Sequence, residues 1–181
     1  GTRECGIDTG TQLLKGKKWD AFKAYVGGIA DKLNFETYAT EDGNMIYGND
    51  YIKLINLARY RKITLENQYG LQEHLQDISY STLDYLNRCL IKFKKETGMF
   101  EFVDMISEFI KNNKCPHFDA VFLDEAQDLN NLQWDMFHYI ESNAKRSYIA
   151  GDDDQAIMGF QGANPTPVSY THLTLPTNRE V

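Results

Sequence analysis

The chain has 181 residues, 42% hydrophobic and 25% charged, with Lys plus Arg at 19, Asp plus Glu at 26 and a net charge of −7. That composition can bury a core, which excludes wholesale disorder, and the acidic balance excludes a protein that coats nucleic acid through bulk positive charge, though not a local groove. No apolar run approaches the roughly 18–20 residues of a membrane span, and the first residues, Gly1-Thr2-Arg3-Glu4-Cys5, lack a signal peptide's apolar stretch. Cys5, Cys89 and Cys115 are odd in number and far apart, fitting neither a disulfide framework nor a CxxC metal site. A reducing, cytoplasmic setting without a membrane is the expectation.

Residues 1–18 are polar and Gly-rich and read as a loop, with Lys15, Lys17 and Lys18 just before Trp19. Trp19, Phe22, Val26, Ile29 and Leu33 recur at helical spacing, in a helix that Gly27-Gly28 weakens. Asp42-Gly43-Asn44 reads as a turn, and Asp50 as the cap of a helix to about Arg61 with Leu54, Leu57 and Ala58 inward. Arg59, Arg61 and Lys62 cluster at its end. Favourable charge on a helix terminus is preferred there to a phosphate contact.

Ser81 opens the clearest helix, with Asp84 completing an approximate capping box and Leu83, Leu86, Leu90 and Phe93 forming the apolar stripe. Lys92, Lys94 and Lys95 occupy its last turns, and Gly98 ends it. Phe100 to Ile110 reads as another helix, facing inward with Phe102, Met105, Ile106 and Phe109. The first 115 residues are therefore expected to be almost wholly helical.

The pattern then changes. Asp119 to Leu123 is a short apolar run ending at acids, which reads as a buried strand of a parallel sheet. Asn130 to Ser142 is helical, with Leu132, Met136, Tyr139 and Ile140 on one face, and Ser147 to Ala150 is a second strand that also ends at acids. Strand, helix and strand make a βαβ unit with a parallel pair. In open α/β sheets, ligands bind beyond the carboxyl ends of the strands, where both acidic clusters lie.

The first cluster is Asp124-Glu125-Ala126-Gln127-Asp128. A carboxylate at a strand end suits Mg²⁺, whose shell substrate phosphates complete, and the neighbouring Glu125 is placed to orient or deprotonate a water. The plainer alternative is that Asp128 caps the following helix and the others are exposed acids. The second cluster is Gly151-Asp152-Asp153-Asp154-Gln155. Alone it reads as a surface loop with a helix cap, but the two clusters one βαβ unit apart are far more specific.

Asp124 to Asp128 resembles the DExQD motif II, the Walker B element, of UvrD/Rep-like superfamily 1 DNA helicases. Gly151 to Ala163 (GDDDQAIMGFQGA) resembles their motif III, and Phe100 to Ile106 resembles the DFxDM element upstream of motif II. The three occur in order and cover residues 100–165. The resemblance implies a P-loop NTPase-like parallel sheet, part of a RecA-like first motor domain (116–165), preceded by a mostly helical insertion-like subdomain (1–115). It implies ATP and Mg²⁺ as cofactors, with Asp124 on the metal, Glu125 activating water, Gln127 and Gln155 on the nucleotide, and Gln155 also reporting nucleotide state. It implies single-stranded and duplex DNA as partners, with Phe160 stacking on a base and Met158 and Gln161 beside it, in a 3′-to-5′ translocase of bacterial or viral source. Met158 stands where the family usually has Tyr, and Gln161 where it usually has Arg, which loses a ring and a charge.

A phosphate-cradling GxxxxGK[ST] loop does not occur in these residues; Gly10 to Lys17 lacks the spacing. Nor is a second motor domain expected within these residues. The expectation is thus an internal piece of a helicase, inactive by itself, whose exposed sheet edges invite oligomerisation. Residues 166–181 cease to look like the family and read as a non-native or disordered tail resembling translated adapter sequence. Two other classes stay open. One is a metal-dependent nuclease or phosphohydrolase using Asp124, Glu125, Asp152 and Asp154 around two metals about 4 Å apart. The other is a non-catalytic helical binding module built on the aromatic-rich first 115 residues.

Overall fold

The structure, a computed structural model, describes residues 12–33, 36–39, 45–71 and 78–152. A 3₁₀ turn over Gly16–Lys18 leads into α1, Trp19–Val26. The helix expected to reach Leu33 stops at Gly27, whose φ of +59° belongs to the left-handed half of backbone space, and continues only as a 3₁₀ segment, Gly27–Lys32. An antiparallel pair follows, β1 (Glu36–Ala39) and β2 (Met45–Gly48), with Glu36 opposite Gly48 and Ala39 opposite Met45. This hairpin corrects the expectation of an almost wholly helical first 115 residues; its expected turn at 42–44 lies outside the described residues.

Helix α2 spans Asp50–Arg61. Its cap is Asn49, not Asp50: the Asn49 side-chain oxygen accepts from the amides of Tyr51 (3.0 Å) and Ile52 (3.3 Å). Leu54 and Ala58 face inward as expected and Ile55 joins them, while Leu57 is only half-buried. Short α3 (Leu65–Gly70) leads on to α4, Tyr80–Thr97. The four stripe residues Leu83, Leu86, Leu90 and Phe93 are all buried, and Gly98 ends the helix at φ +68°. Ser79 rather than Ser81 holds the cap position, and the Ser81–Asp84 box does not form.

One large core joins α1, α2 and α4 through Trp19, Phe22, Ile52, Ile55, Leu86 and Phe93, with the Phe22 and Phe93 rings 5.4 Å apart. Burying such a side chain contributes about 1.5–3 kcal/mol, so this cluster dominates the helical part. Helix α5, Phe102–Lys111, buries Val103 and Ile106. Phe102, expected inside, is 61% exposed, although it stands one turn before the buried Ile106 on the same face of α5; it is the first residue of the helix.

The remaining described elements are β3 (Val121–Leu123), α6 (Asn131–Glu141) and β4 (Ser147–Ile149). The strands are parallel, with Val121, Phe122 and Leu123 opposite Ser147, Tyr148 and Ile149. Trp134 and Phe137 of α6 pack beneath them with Ala126, Val121, Leu123 and Ile149. Another face of α6 meets α5 through Leu132, Val103 and Ile106. Among the described residues the sheet is covered on one side: Phe122 is 77% exposed and stacks on Tyr148, rings 4.9 Å apart and 11° from parallel. The buried strand expected at 119–123 is corrected accordingly: it spans Val121–Leu123, with Val121 and Leu123 half-buried and Phe122 exposed. Among the described residues, no helix is long and apolar enough to cross a membrane.

Candidate functional site

Parallel pairing carries both strands to the same end, so Asp124, level with Ala150 in the register, and Asp152, two residues further on, follow the strands at that end. The ladder continues past the strands: Ala150 N donates to Leu123 O (2.7 Å) and Ala126 N to Ala150 O (3.0 Å). Between these contacts the chain turns sharply. Glu125 takes φ +52°, ψ +41°, a left-handed conformation that costs a non-glycine residue about 1–3 kcal/mol and persists only where surroundings enforce it. A 3₁₀ turn, Ala126–Asp128, follows, closed by Asp128 N on Glu125 O at 3.0 Å.

Asp124 and Glu125 are exposed. Asp124 Oδ1 accepts from Glu125 N at 2.9 Å, and its second oxygen has no hydrogen bond among the described residues. A single exposed carboxylate at a strand end, with hard oxygen donors, fits a Mg²⁺ ion that takes one or two protein ligands and fills its shell with phosphate and water. Among the described residues, no three His, Cys, Asp or Glu side chains lie together so as to hold a metal ion. The two-metal arrangement therefore finds no support there, and its fourth member, Asp154, lies outside them.

Gln127 is 2% exposed and both ends of its amide are engaged. Nε2 donates to Glu125 Oε2 (2.6 Å), and Oε1 accepts from Asp152 N (2.9 Å). Gly151 permits this approach. A Cβ there would lie 2.8 Å from Gln127 Oε1, 3.1 Å from Ala126 N and 3.2 Å from Ala126 Cβ. Asp128 does not cap α6. Asn130 does, in a reciprocal box with Gln133: Gln133 N donates to Asn130 Oδ1 (3.0 Å), and Asn130 N to Gln133 Oε1 (2.9 Å). Asp128 Oδ1 is buried without a partner among the described residues. Gln155, Met158, Phe160 and Gln161 lie outside the described residues, as do Asp153 and Asp154.

A second polar cluster escaped the sequence reading. Glu101, 3% exposed, accepts from Asn56 Nδ2 (2.8 Å), from Arg59 (3.1 Å) and from Lys94 Nζ (2.8 Å). Asp104 accepts from Arg59, from Lys94 Nζ (2.8 Å) and from Glu101 N (2.7 Å). Burial pushes the Asp104 carboxyl upward, but the charges of Lys94 and Arg59 outweigh it and hold the group below the ordinary carboxylate range. Both acids belong to the stretch that resembles DFxDM, and their work here is to tie α5 to α2 and α4. The basic cluster ending α2 is occupied internally: Arg59 as above, Arg61 with Gln68 Oε1 (3.1 Å), and Lys62 paired with Asp135 of α6.

The family model for the UvrD/REP helicase N-terminal domain matches residues 18–172, spanning the helical part and the acidic strand ends. The putative ATP-dependent DNA helicase YjcD of Bacillus subtilis is 34% identical over 82 residues, 40% of this chain and 11% of that protein. ATP-dependent DNA helicase Rep of Buchnera aphidicola is 28% identical over 110 residues, 56% of this chain and 16% of that protein. ATP-dependent DNA helicase PcrA of Staphylococcus aureus is 33% identical over 67 residues, 37% of this chain and 9% of that protein. The matched stretches thus span about 9–16% of these relatives' length.

Proposed function

The chain belongs to the UvrD/REP helicase family, and from that premise we propose that it carries part of the ATP site of a DNA helicase, in which ATP hydrolysis drives movement along single-stranded DNA and strand separation. The observation that carries the reading is the meeting of two acidic strand ends across one parallel pair, with Gln127 between them. Residues 116–165 belong on this reading to a RecA-like motor domain, and residues 1–115 to its insertion.

Asp124 is the residue to hold Mg²⁺, which with ATP neutralises charge on the phosphates. Glu125 is the residue to orient the attacking water and accept its proton. Gln155 is assigned to the γ-phosphate. Phe160, flanked by Met158 and Gln161, is assigned to the DNA, where stacking contributes roughly 1–3 kcal/mol per base regardless of sequence. That indifference suits a 3′-to-5′ motor that must step over every base.

The test is ATP turnover by the complete helicase that carries this chain, with and without single-stranded DNA. Glu125→Gln should lower kcat by at least about 100-fold while nucleotide still binds. Wild-type turnover in that variant would overturn the assignment. The 181 residues alone should turn over little or no ATP, because residues 1–181 contain no GxxxxGK[ST] to cradle the phosphates.

A further inference from the structure

We propose that Gln127 is a positioning residue that joins the two acidic strand ends and sets the place of the Glu125 carboxylate, rather than a group that touches nucleotide. The inference rests on reading Glu125 as the water-activating group and adds how that group is held.

Three observations carry it. The Gln127 side chain is buried, and its two polar ends are already engaged, one on each strand end: Nε2 to Glu125 Oε2 at 2.6 Å, Oε1 from Asp152 N at 2.9 Å. An amide can donate to a carboxylate from its nitrogen and accept from a backbone N–H at its oxygen at once. Glu125, for its part, sits in a left-handed conformation. Its carboxylate accepts from the side chain two residues further on, and a strained backbone holds such a conformation only when something else fixes it. Finally, Gly151 leaves the space that Gln127 fills, since any Cβ there meets Oε1 at 2.8 Å and the Ala126 amide nitrogen at 3.1 Å. Glycine at 151 and glutamine at 127 are thus one device. A shift of the backbone at Gly151–Asp152 moves Gln127, and Gln127 moves the Glu125 carboxylate.

Two variants separate the two ends of the amide. Gln127→Leu removes both bonds. Gln127→Glu keeps an acceptor for Asp152 N and replaces the donor to Glu125 with a repelling carboxylate. In the 181-residue chain, amide hydrogen exchange at Asp152 should quicken roughly fivefold in Gln127→Leu and stay near wild type in Gln127→Glu, the change expected for one neutral hydrogen bond. In the complete helicase, both variants should lower kcat for ATP by about tenfold or more with KM within about twofold of wild type, because the activating group is misplaced while nucleotide contacts remain. Unchanged exchange in Gln127→Leu overturns the tie. A rise in KM beyond about threefold overturns the positioning role in favour of a nucleotide contact. Should Gln127→Leu fail to fold, Gln127→Glu alone decides, since loss of its Asp152 protection or unaltered kcat counts against the proposal. If Glu125→Gln shows that Glu125 is not catalytic, the exchange measurement still reports on the tie, so the two failures are distinguishable.

Discussion

Truncating Glu101 to alanine should destabilise the helical part more than any surface charge change. The carboxylate is 4% exposed as a side chain and accepts from Asn56, Arg59 and Lys94, so its loss leaves two cations sharing Asp104. Removing one member of a buried ion pair costs about 3–5 kcal/mol. Arg59 is 29% exposed and Lys94 13%, so water reaches both in part, and Asp104 still neutralises one charge. Those facts place the loss at the lower end, about 3 kcal/mol. Urea unfolding followed by the fluorescence of Trp19 and Trp134 measures it. With a slope of about 2 kcal/mol per molar, the midpoint should fall by about 1.5 M. Glu101→Gln keeps one acceptor oxygen and should lose about half as much. A loss below about 1 kcal/mol for the alanine variant would refute the reasoning, because that is the range of an exposed pair such as Asp50–Lys53.

The Asp104 carboxyl is held below its ordinary value in the folded chain, so its contribution is present above the unfolded value and lost as pH falls through the folded one. Urea midpoints of the wild type should therefore drop below the ordinary carboxylate range more steeply than those of Asp104→Asn, and parallel curves would count against the pairing. Asn130→Ala should cost about 0.5–2 kcal/mol by removing the α6 cap, read as a lower melting temperature, whereas Asp128→Ala should not reproduce a lost cap. Ile106→Ala should cost about 2–4 kcal/mol and Phe102→Ala under about 0.5 kcal/mol, because the first is buried at the α5–α6 contact and the second faces solvent. Equal losses would mean that Phe102 is covered in solution and count against this placement of the start of α5.

Periodicity located α2, α4 and α6 closely and named the α4 stripe without error, because a long amphipathic helix writes its buried face into every third or fourth residue. It misplaced Phe102 because periodicity gives the face a residue shares, here with Ile106 one turn on, but not whether the end of the helix is covered. It missed the pair of β1 and β2 because four-residue strands stand at the shortest length over which alternation can be read. Asn49 and Asn130 lost their caps to neighbouring acids in the reading, since Asp, Asn and Ser compete for that place on nearly equal terms.

The acidic pair at the candidate site was legible as residues. Short apolar runs that stop at carboxylates, one helix apart, fix which atoms leave the same end of a parallel pair, and the motif spacing identifies the family. What the sequence cannot carry is the third dimension of that pair. The role of Gln127 depends on a residue twenty-five positions away, Asp152, arriving within hydrogen-bond reach. Gly151 matters only because Ala126 and Gln127 pack against it. The bond of Arg59 and Lys94 to Glu101 and Asp104 joins three helices whose mutual packing no local pattern records. Sequence determined the longer helices, the strand-end acids and the family, because these rest on local order and spacing. Tertiary structure alone decided which polar groups satisfy one another, because burial makes an unpaired partner costly and burial is a property of the assembled chain.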